Sequence, residues 1–309
     1  MKILLFGKRG QVGWELQRSL APLGQIVALD HAGDGSLCGD FTNLAGLATC
    51  VRAVAPDVIV NAAAHTGVDQ AESEPELATT INALAPGVLA EEADRLGSWL
   101  VHYSTDYVFD GSGTTPWREG DPTGPLGVYG RSKLAGEQAA ARCARHLIFR
   151  TSWVFAARGN NFARTMLRLA SERDQLQVVA DQIGAPTGAE LLADVTAHAI
   201  RSARQRPDLA GLYHLVPGGE TSWHGYARHV IEYARQAGQA IRVAPEAITA
   251  VPSSAYPVPA PRPHNSRLDT DKLQAAFDLS QRWQRRVDRH FVGEQGIACL
   301  LYTSDAADE

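Results

Sequence analysis

Residues 2–30 restrict the fold of this chain more than any other stretch. Lys2-Ile3-Leu4-Leu5-Phe6 is a short apolar run that reads as a buried strand. It feeds Gly7-Lys8-Arg9-Gly10-Gln11-Val12-Gly13, and a helical pattern opens at Trp14-Glu15-Leu16. These glycines recur every third residue, unlike the commonest dinucleotide fingerprint, yet they answer the same physical need. A tight strand-to-helix turn lets backbone approach a pyrophosphate and aims a helix N-terminus at its charge. A second apolar run, Ile26-Val27-Ala28-Leu29, ends in Asp30, the expected place for an acidic residue at an adenosine ribose. A glycine-rich turn by itself needs no ligand; turn, strand and Asp30 together point to a nucleotide.

Beyond this unit, β and α signals alternate as a parallel sheet requires. They predict an α/β fold, a Rossmann-type doubly wound parallel sheet. Helices are expected over Leu44–Val54, over Ala71–Leu96 with an interruption near Pro86, and from about Tyr129 to Arg145. Strands are expected at Val58–Asn61, Trp99–Tyr103 and Leu147–Thr151. Helices near Asn161–Ser171 and Ala189–Arg204 flank a strand at Leu176–Ala180. Past residue 205 the rhythm breaks. Pro245, Pro252, Pro257, Pro259, Pro261 and Pro263 crowd a segment expected to be an extended loop, since proline lacks an N–H and fixes φ. Residues 1–205 are read mainly as the nucleotide-binding domain and 206–296 mainly as a smaller C-terminal substrate-binding lobe, with some exchange of segments. Residues 297–309 show no periodicity and read as a non-native tail.

The 309 residues carry a net charge of −5 with mixed signs, so no basic stripe argues for nucleic acid. No apolar run approaches the roughly 18 residues a membrane helix needs, and Met1 leads directly into a strand. Neither a membrane nor a secretory role is expected. Cys38, Cys50, Cys143 and Cys299 show no metal or redox spacing, which predicts reduced thiols in a cytoplasmic protein.

Chemistry is first visible in Leu126-Gly127-Val128-Tyr129-Gly130-Arg131-Ser132-Lys133. Tyr129 and Lys133 lie four apart, on one face of a helix. A phenol gives up its proton near pH 10, and an adjacent ammonium lowers that value. Such a pair is suited to donating a proton to a carbonyl being reduced. Alone it is also compatible with a solvated helix face.

The glycine turn, Asn61-Ala62-Ala63-Ala64-His65-Thr66, Tyr103-Ser104-Thr105-Asp106-Tyr107-Val108-Phe109, the Tyr129–Lys133 segment and Arg150-Thr151-Ser152-Trp153-Val154-Phe155 together resemble an extended short-chain dehydrogenase/reductase. Within that superfamily, the stretches from Gly159, Asp181, Gly211 and Pro261 resemble the dTDP-4-dehydrorhamnose reductase family. The likeness runs from residue 2 to about 292.

The resemblance implies reduction of a dTDP-4-keto sugar by NADPH or NADH in a homodimer. It makes Tyr129 the proton donor, has Lys133 lower the phenol pKa and hold the nicotinamide ribose, and has Thr105 hydrogen-bond the carbonyl oxygen. Strand alternation points the neighbouring Ser104 to the other face. Gly7, Gly10, Gln11, Val12 and Gly13 would meet the pyrophosphate, Asp40 and Phe41 the adenine end, and Ala64, His65 and Thr66 the cofactor after the third strand. Tyr103 and Asp106 would flank the site, with Asp106 on the substrate. Trp153 would be a wall for the substrate or a core residue, and Arg262 a cationic partner for the diphosphate. Asp30 favours NADH by repelling a 2′-phosphate, whereas Arg9 would pair with that phosphate, so both cofactors are expected to work. Glu15 and Glu190 match positions associated with Mg²⁺ in the family. Two other readings stay open: a non-catalytic nucleotide-binding regulatory subunit, and a nucleotide-sugar epimerase or dehydratase.

Overall fold

Every residue of Ile3–Phe6 is fully buried, and the alternation of the strand explains how. Ile3 and Leu5 face one layer of helices while Leu4 and Phe6 face the other. A strand covered on both sides reads as a continuous apolar run. This is the first strand of a six-stranded parallel sheet in a computed structural model that describes residues 1–279.

The strands are β1 (Lys2–Phe6), β2 (Gln25–Leu29), β3 (Val58–Asn61), β4 (Trp99–Thr105), β5 (His146–Thr151) and a sixth at Gly211–His214. Their spatial order is β2-β1-β3-β4-β5 followed by Gly211–His214, with every neighbouring pair parallel. The chain reverses direction across the sheet between β1 and β3. In doubly wound sheets a ligand binds at such a switch point, beyond the carboxyl ends of the strands.

Helices α1 (Gln11–Leu20) and α8 (Ala189–Gln205) cover one face, through Leu16, Leu20, Leu192, Val195, Ala199 and Ile200. The other face is covered by α2 (Leu44–Val54), α5 (Ala85–Leu96) and α6 (Val128–Ala140). A separate apolar cluster joins α7 (Phe162–Glu172), α9 (Trp223–Gln236) and two short parallel strands, Leu176–Val179 and Ile248–Val251. The small lobe thus draws on segments before and after residue 205, while Gly211–His214 belongs to the main sheet.

Several expected elements are altered. The segment read as one helix broken near Pro86 is α3 (Val68–Ser73), α4 (Pro75–Thr79), a π-helical turn at Thr80–Leu84, and α5. Pro86 does not break it: it falls in the first turn of α5, directly after the π-helical turn, where the Ala85 N–H reaches back to the Thr80 carbonyl. Helix α6 ends at Ala140 rather than Arg145. The proline-rich segment includes the strand Ile248–Val251. Helix α9 was not expected. Its apolar positions, Tyr226, Ala227, Val230, Ile231 and Ala234, follow a helical period, and Ser222 caps it by accepting the Gly225 N–H. A short helix α10 (Asp271–Phe277) buries Leu273 and Phe277 against the main core. The reading of residues 297–309 as a tail lies outside the described residues.

Candidate active site

A cleft of about 790 Å³ opens beyond the carboxyl ends of β1, β3, β4 and β5. At one end is the glycine turn. Gly7 has φ of +86°, and a Cβ there would lie 2.7 Å from the Ala62 carbonyl carbon. A Cβ at Gly13 would lie 2.0 Å from the Gly7 oxygen, so α1 starts hard against the turn. Gly10 is the N-cap of α1, and no side chain caps that first turn. Its amide dipoles therefore meet the cleft, with Gln11 and Val12 on the lining. This cradle fits a pyrophosphate.

Asp30, Asp40 and Phe41 line the same end. Arg9 forms an ion pair with Asp30 at 2.5 Å, with Arg9 exposed and the carboxylate largely covered. Asp40 accepts from the N–H and hydroxyl of Thr42, which hold its carboxyl below the ordinary value. Phe41 is mostly core, edge-on to Phe6 at 5.4 Å. Ala64 and Thr66 line the cleft, but the His65 ring turns toward Glu74 at 3.5 Å. The His65 backbone is gripped by Asn82, which accepts its N–H at 2.8 Å and donates to its carbonyl at 3.0 Å. Asn82 also donates to Ser132, whose hydroxyl donates to the Tyr129 carbonyl. The π-helical turn that carries Asn82 so joins the loop after β3 to α6.

Thr105, Tyr129 and Lys133 come together at the other end, although they stand on β4 and α6. The Glu72 carboxylate accepts the Val128 N–H at 2.7 Å and secures the start of α6. Deeper in, Glu137 on α6 grips Arg150 on β5 through bonds of 2.9 and 2.7 Å, both groups buried. Lys133 donates to the Tyr103 carbonyl at 2.6 Å. Burial brings its pKa down to about 8, opposed by the charge of Glu137. The Tyr103 hydroxyl is bound to Thr196 on the α8 side, so Tyr103 offers Lys133 its backbone.

The expected lowering of the Tyr129 pKa by Lys133 is not found. Burial pushes Tyr129 up to about 12, the charge of Asp106 adds to this, and a hydrogen bond with Thr105 opposes it. The Lys133 ammonium is turned to the Tyr103 carbonyl. Thr105, on β4, stands beside the phenol. Its hydroxyl donates to Asp106 at 3.1 Å and accepts the Tyr107 N–H at 3.2 Å. Ser104, the preceding residue of β4, also lines the cleft, although strand alternation predicts the other face for it. Asp106 is 2% exposed, and burial raises its carboxyl to about 6.

Sequence reasoning did not single out Tyr107, edge-on to Tyr129 at 5.5 Å, or Trp223 as site residues. Trp223 stacks on Trp153 at 3.6 Å, both indoles line the cleft, and Trp153 takes a left-handed φ of 48°. Arg262 does not line the cleft. It makes a two-pronged pair with Asp69, at 3.1 and 2.7 Å, and also reaches Tyr107. Glu15 on α1 and Glu190 on α8 are close enough to interact: burial and then the charge of Glu190 raise the Glu15 pKa. The third acid nearby, Asp194, is taken by Arg18 and Ser19. Among the described residues no group of three His, Cys, Asp or Glu side chains forms a metal site. Nor is any helix among them long and apolar enough to cross a membrane.

The family model described as the RmlD substrate binding domain matches residues 1–294. A dTDP-4-dehydrorhamnose reductase from Shigella flexneri is 62% identical over 94% of this chain and 96% of its own length. The solved structure of a dTDP-4-dehydrorhamnose reductase from Clostridium acetobutylicum superposes with a TM-score of 0.82 at 34% identity, covering 94% of this chain and 98% of that one. The reductase of that name from Bacillus anthracis, solved in complex with NADP, gives 0.80 at 33% identity over 95% and 99%. The glycine cradle, the Thr105–Tyr129–Lys133 wall and these likenesses lead to one assignment: the chain belongs to the dTDP-4-dehydrorhamnose reductase family.

Proposed function

We propose that this protein reduces dTDP-4-dehydro-β-L-rhamnose to dTDP-L-rhamnose with NADPH or NADH, the closing step in making that nucleotide sugar. The observation that carries the reading is one continuous cleft. It has a pyrophosphate cradle at Gly7–Gly13 and a half-buried Tyr129 beside the buried Lys133 at its far end, in a chain 62% identical to a dTDP-4-dehydrorhamnose reductase.

A reduced nicotinamide, when bound, supplies the hydride for the sugar C4 carbon. The chain supplies the proton and the geometry. Tyr129 donates its hydroxyl proton to the C4 oxygen. Lys133, anchored on the Tyr103 carbonyl, keeps a positive charge beside the phenolate that results. The Trp153–Trp223 stack gives the sugar a flat apolar wall. Arg262 serves the diphosphate by releasing Asp69. Arg9 and Asp30 face the adenosine ribose, where the arginine supports a 2′-phosphate and the carboxylate a 2′-hydroxyl. Glu15 and Glu190 are the residues that would hold a Mg²⁺, which takes oxygen ligands and keeps several waters, and no step of the reduction is routed through it. A homodimer in the cytoplasm completes the reading, supported there by the free thiols of Cys38, Cys50 and Cys143.

The test is incubation with the keto sugar and NADPH, followed by proton NMR of the product. Formation of dTDP-L-rhamnose supports the reading. Cofactor binding without turnover would move the assignment to a regulatory binding protein, and an epimerised keto sugar to an epimerase.

A further inference from the structure

Hydrogen-bond counting at Thr105 leaves a problem that the proposed reduction does not resolve. A threonine hydroxyl has one proton and two lone pairs. The proton goes to Asp106 at 3.1 Å, and one lone pair accepts the Tyr107 N–H at 3.2 Å. Tyr129 also lies within hydrogen-bonding reach of this hydroxyl. While Asp106 is an acceptor-only carboxylate, Thr105 has no proton to offer a substrate oxygen. The charge is also of the wrong sign: Tyr129 becomes anionic as it gives up its proton, and an ionised Asp106 opposes that.

We infer that Asp106 is a positioning residue that works in its neutral form, donating a hydrogen bond to Thr105 and thereby turning the Thr105 hydroxyl toward the substrate oxygen. The inference rests on the reductase reading above. A neutral acid on Thr105 leaves its own proton free, so the oxygen meets two donors, Thr105 and Tyr129. It also removes the negative charge from beside the forming phenolate. The surroundings favour neutrality. Asp106 is 2% exposed, and one carboxylate oxygen, Oδ2, is buried without a hydrogen-bond partner. Burial raises its pKa to about 6, against hydrogen bonds from Ser266, Thr105 and the backbone, which lower it. The titratable groups facing it are Tyr107 on its own turn and Tyr129 on α6, both neutral at ordinary pH. Arg262 lies beyond Tyr107 and is paired with Asp69, while Lys133 is turned to the Tyr103 carbonyl. A sugar over the cleft excludes water and raises the carboxyl further.

The test compares pH profiles of kcat for the parent, Asp106→Asn and Asp106→Ala between about pH 5 and pH 7, about a unit or more below the pKa of about 8 of Lys133. The parent should lose activity several-fold as pH rises and Asp106 ionises. Asparagine imitates the neutral acid, with an N–H₂ that donates to Thr105 at every pH. Its profile should be flat across the window, with kcat more than tenfold above that of Asp106→Ala. Thr105→Val, isosteric and without the hydroxyl, should be flat as well, which keeps the idea testable if an Asp106 variant does not fold. A readout free of turnover is the infrared difference spectrum on binding dTDP-L-rhamnose, where a carboxylic acid band should appear in the parent and be missing from Asp106→Asn. A parent that turns over while Asp106→Asn keeps its descending limb overturns this inference alone. A parent inactive on the keto sugar overturns the reductase reading and this inference with it.

Discussion

Replacing Glu137 by alanine should destabilise the protein and lower the pH range in which it works. Glu137 and Arg150 are 4% and 5% exposed, and two charge-assisted bonds of 2.9 and 2.7 Å join them. Removing one partner of a buried pair costs about 3–5 kcal/mol, because the other charge is left uncompensated. Here the upper half of that range applies. The Arg150 Nη1 already lacks a hydrogen-bond partner, and the Phe109 ring at 4.9 Å is a weak substitute for a carboxylate. Such a loss is a large share of the roughly 5–15 kcal/mol a folded domain has in total. The double replacement Glu137→Leu with Arg150→Met removes both charges and should return to within about 1–2 kcal/mol of the parent. Urea unfolding followed by circular dichroism measures both. The milder Glu137→Gln tests the chemistry. Glu137 raises the Lys133 pKa against the effect of burial, so without its charge Lys133 falls below about 8. The ammonium is present below that pKa and lost above it, so the alkaline fall in kcat should move to lower pH. An alanine variant within 1 kcal/mol of the parent, by the scale of exposed ion pairs, would refute the stability argument. An unmoved alkaline limb would refute the link to Lys133.

Two further outcomes follow from the same geometry. Parent enzyme should accept NADPH and NADH with a preference below about a hundredfold, and Arg9→Ala should weaken NADPH by roughly five- to tenfold with little effect on NADH, as expected for an exposed charge contact; calorimetric titration of each cofactor measures this, and an equal loss for both would detach Arg9 from the 2′-position. Arg262→Ala should raise KM for the dTDP-sugar at least tenfold more than KM for the cofactor, and steady-state kinetics giving parental values for both would leave Arg262 as a structural partner of Asp69.

Local patterns carried much of the architecture. The strand at Lys2–Phe6 and the turn at Gly7–Gly13 were legible because burial on both faces and close backbone approach each demand particular residues within a few positions. The spacing of Tyr129 and Lys133 likewise forces a shared helix face. Helix α9 carries a helical period and a serine cap, both of them local signals. What the sequence hid depends on long-range meetings. Nothing local predicts that Trp153 stacks on Trp223, or that Arg262 finds Asp69 across 193 positions. The electrostatics of Tyr129 depend on such meetings too. Spacing places a lysine near the phenol, but only the packed structure assigns its ammonium to the Tyr103 carbonyl and shows burial raising the phenol pKa.

The central claim, that Tyr129 delivers the proton in a carbonyl reduction, is tested most directly by Tyr129→Phe. The phenylalanine keeps the ring against Tyr107 and removes only the hydroxyl. Cofactor dissociation constants and kcat with the keto sugar should be measured side by side. The account predicts a kcat reduced by about 10²–10⁴, the range of general acid–base catalysis, with cofactor affinity within about threefold of the parent. A kcat within about threefold of the parent would contradict it, whatever the cofactor affinity.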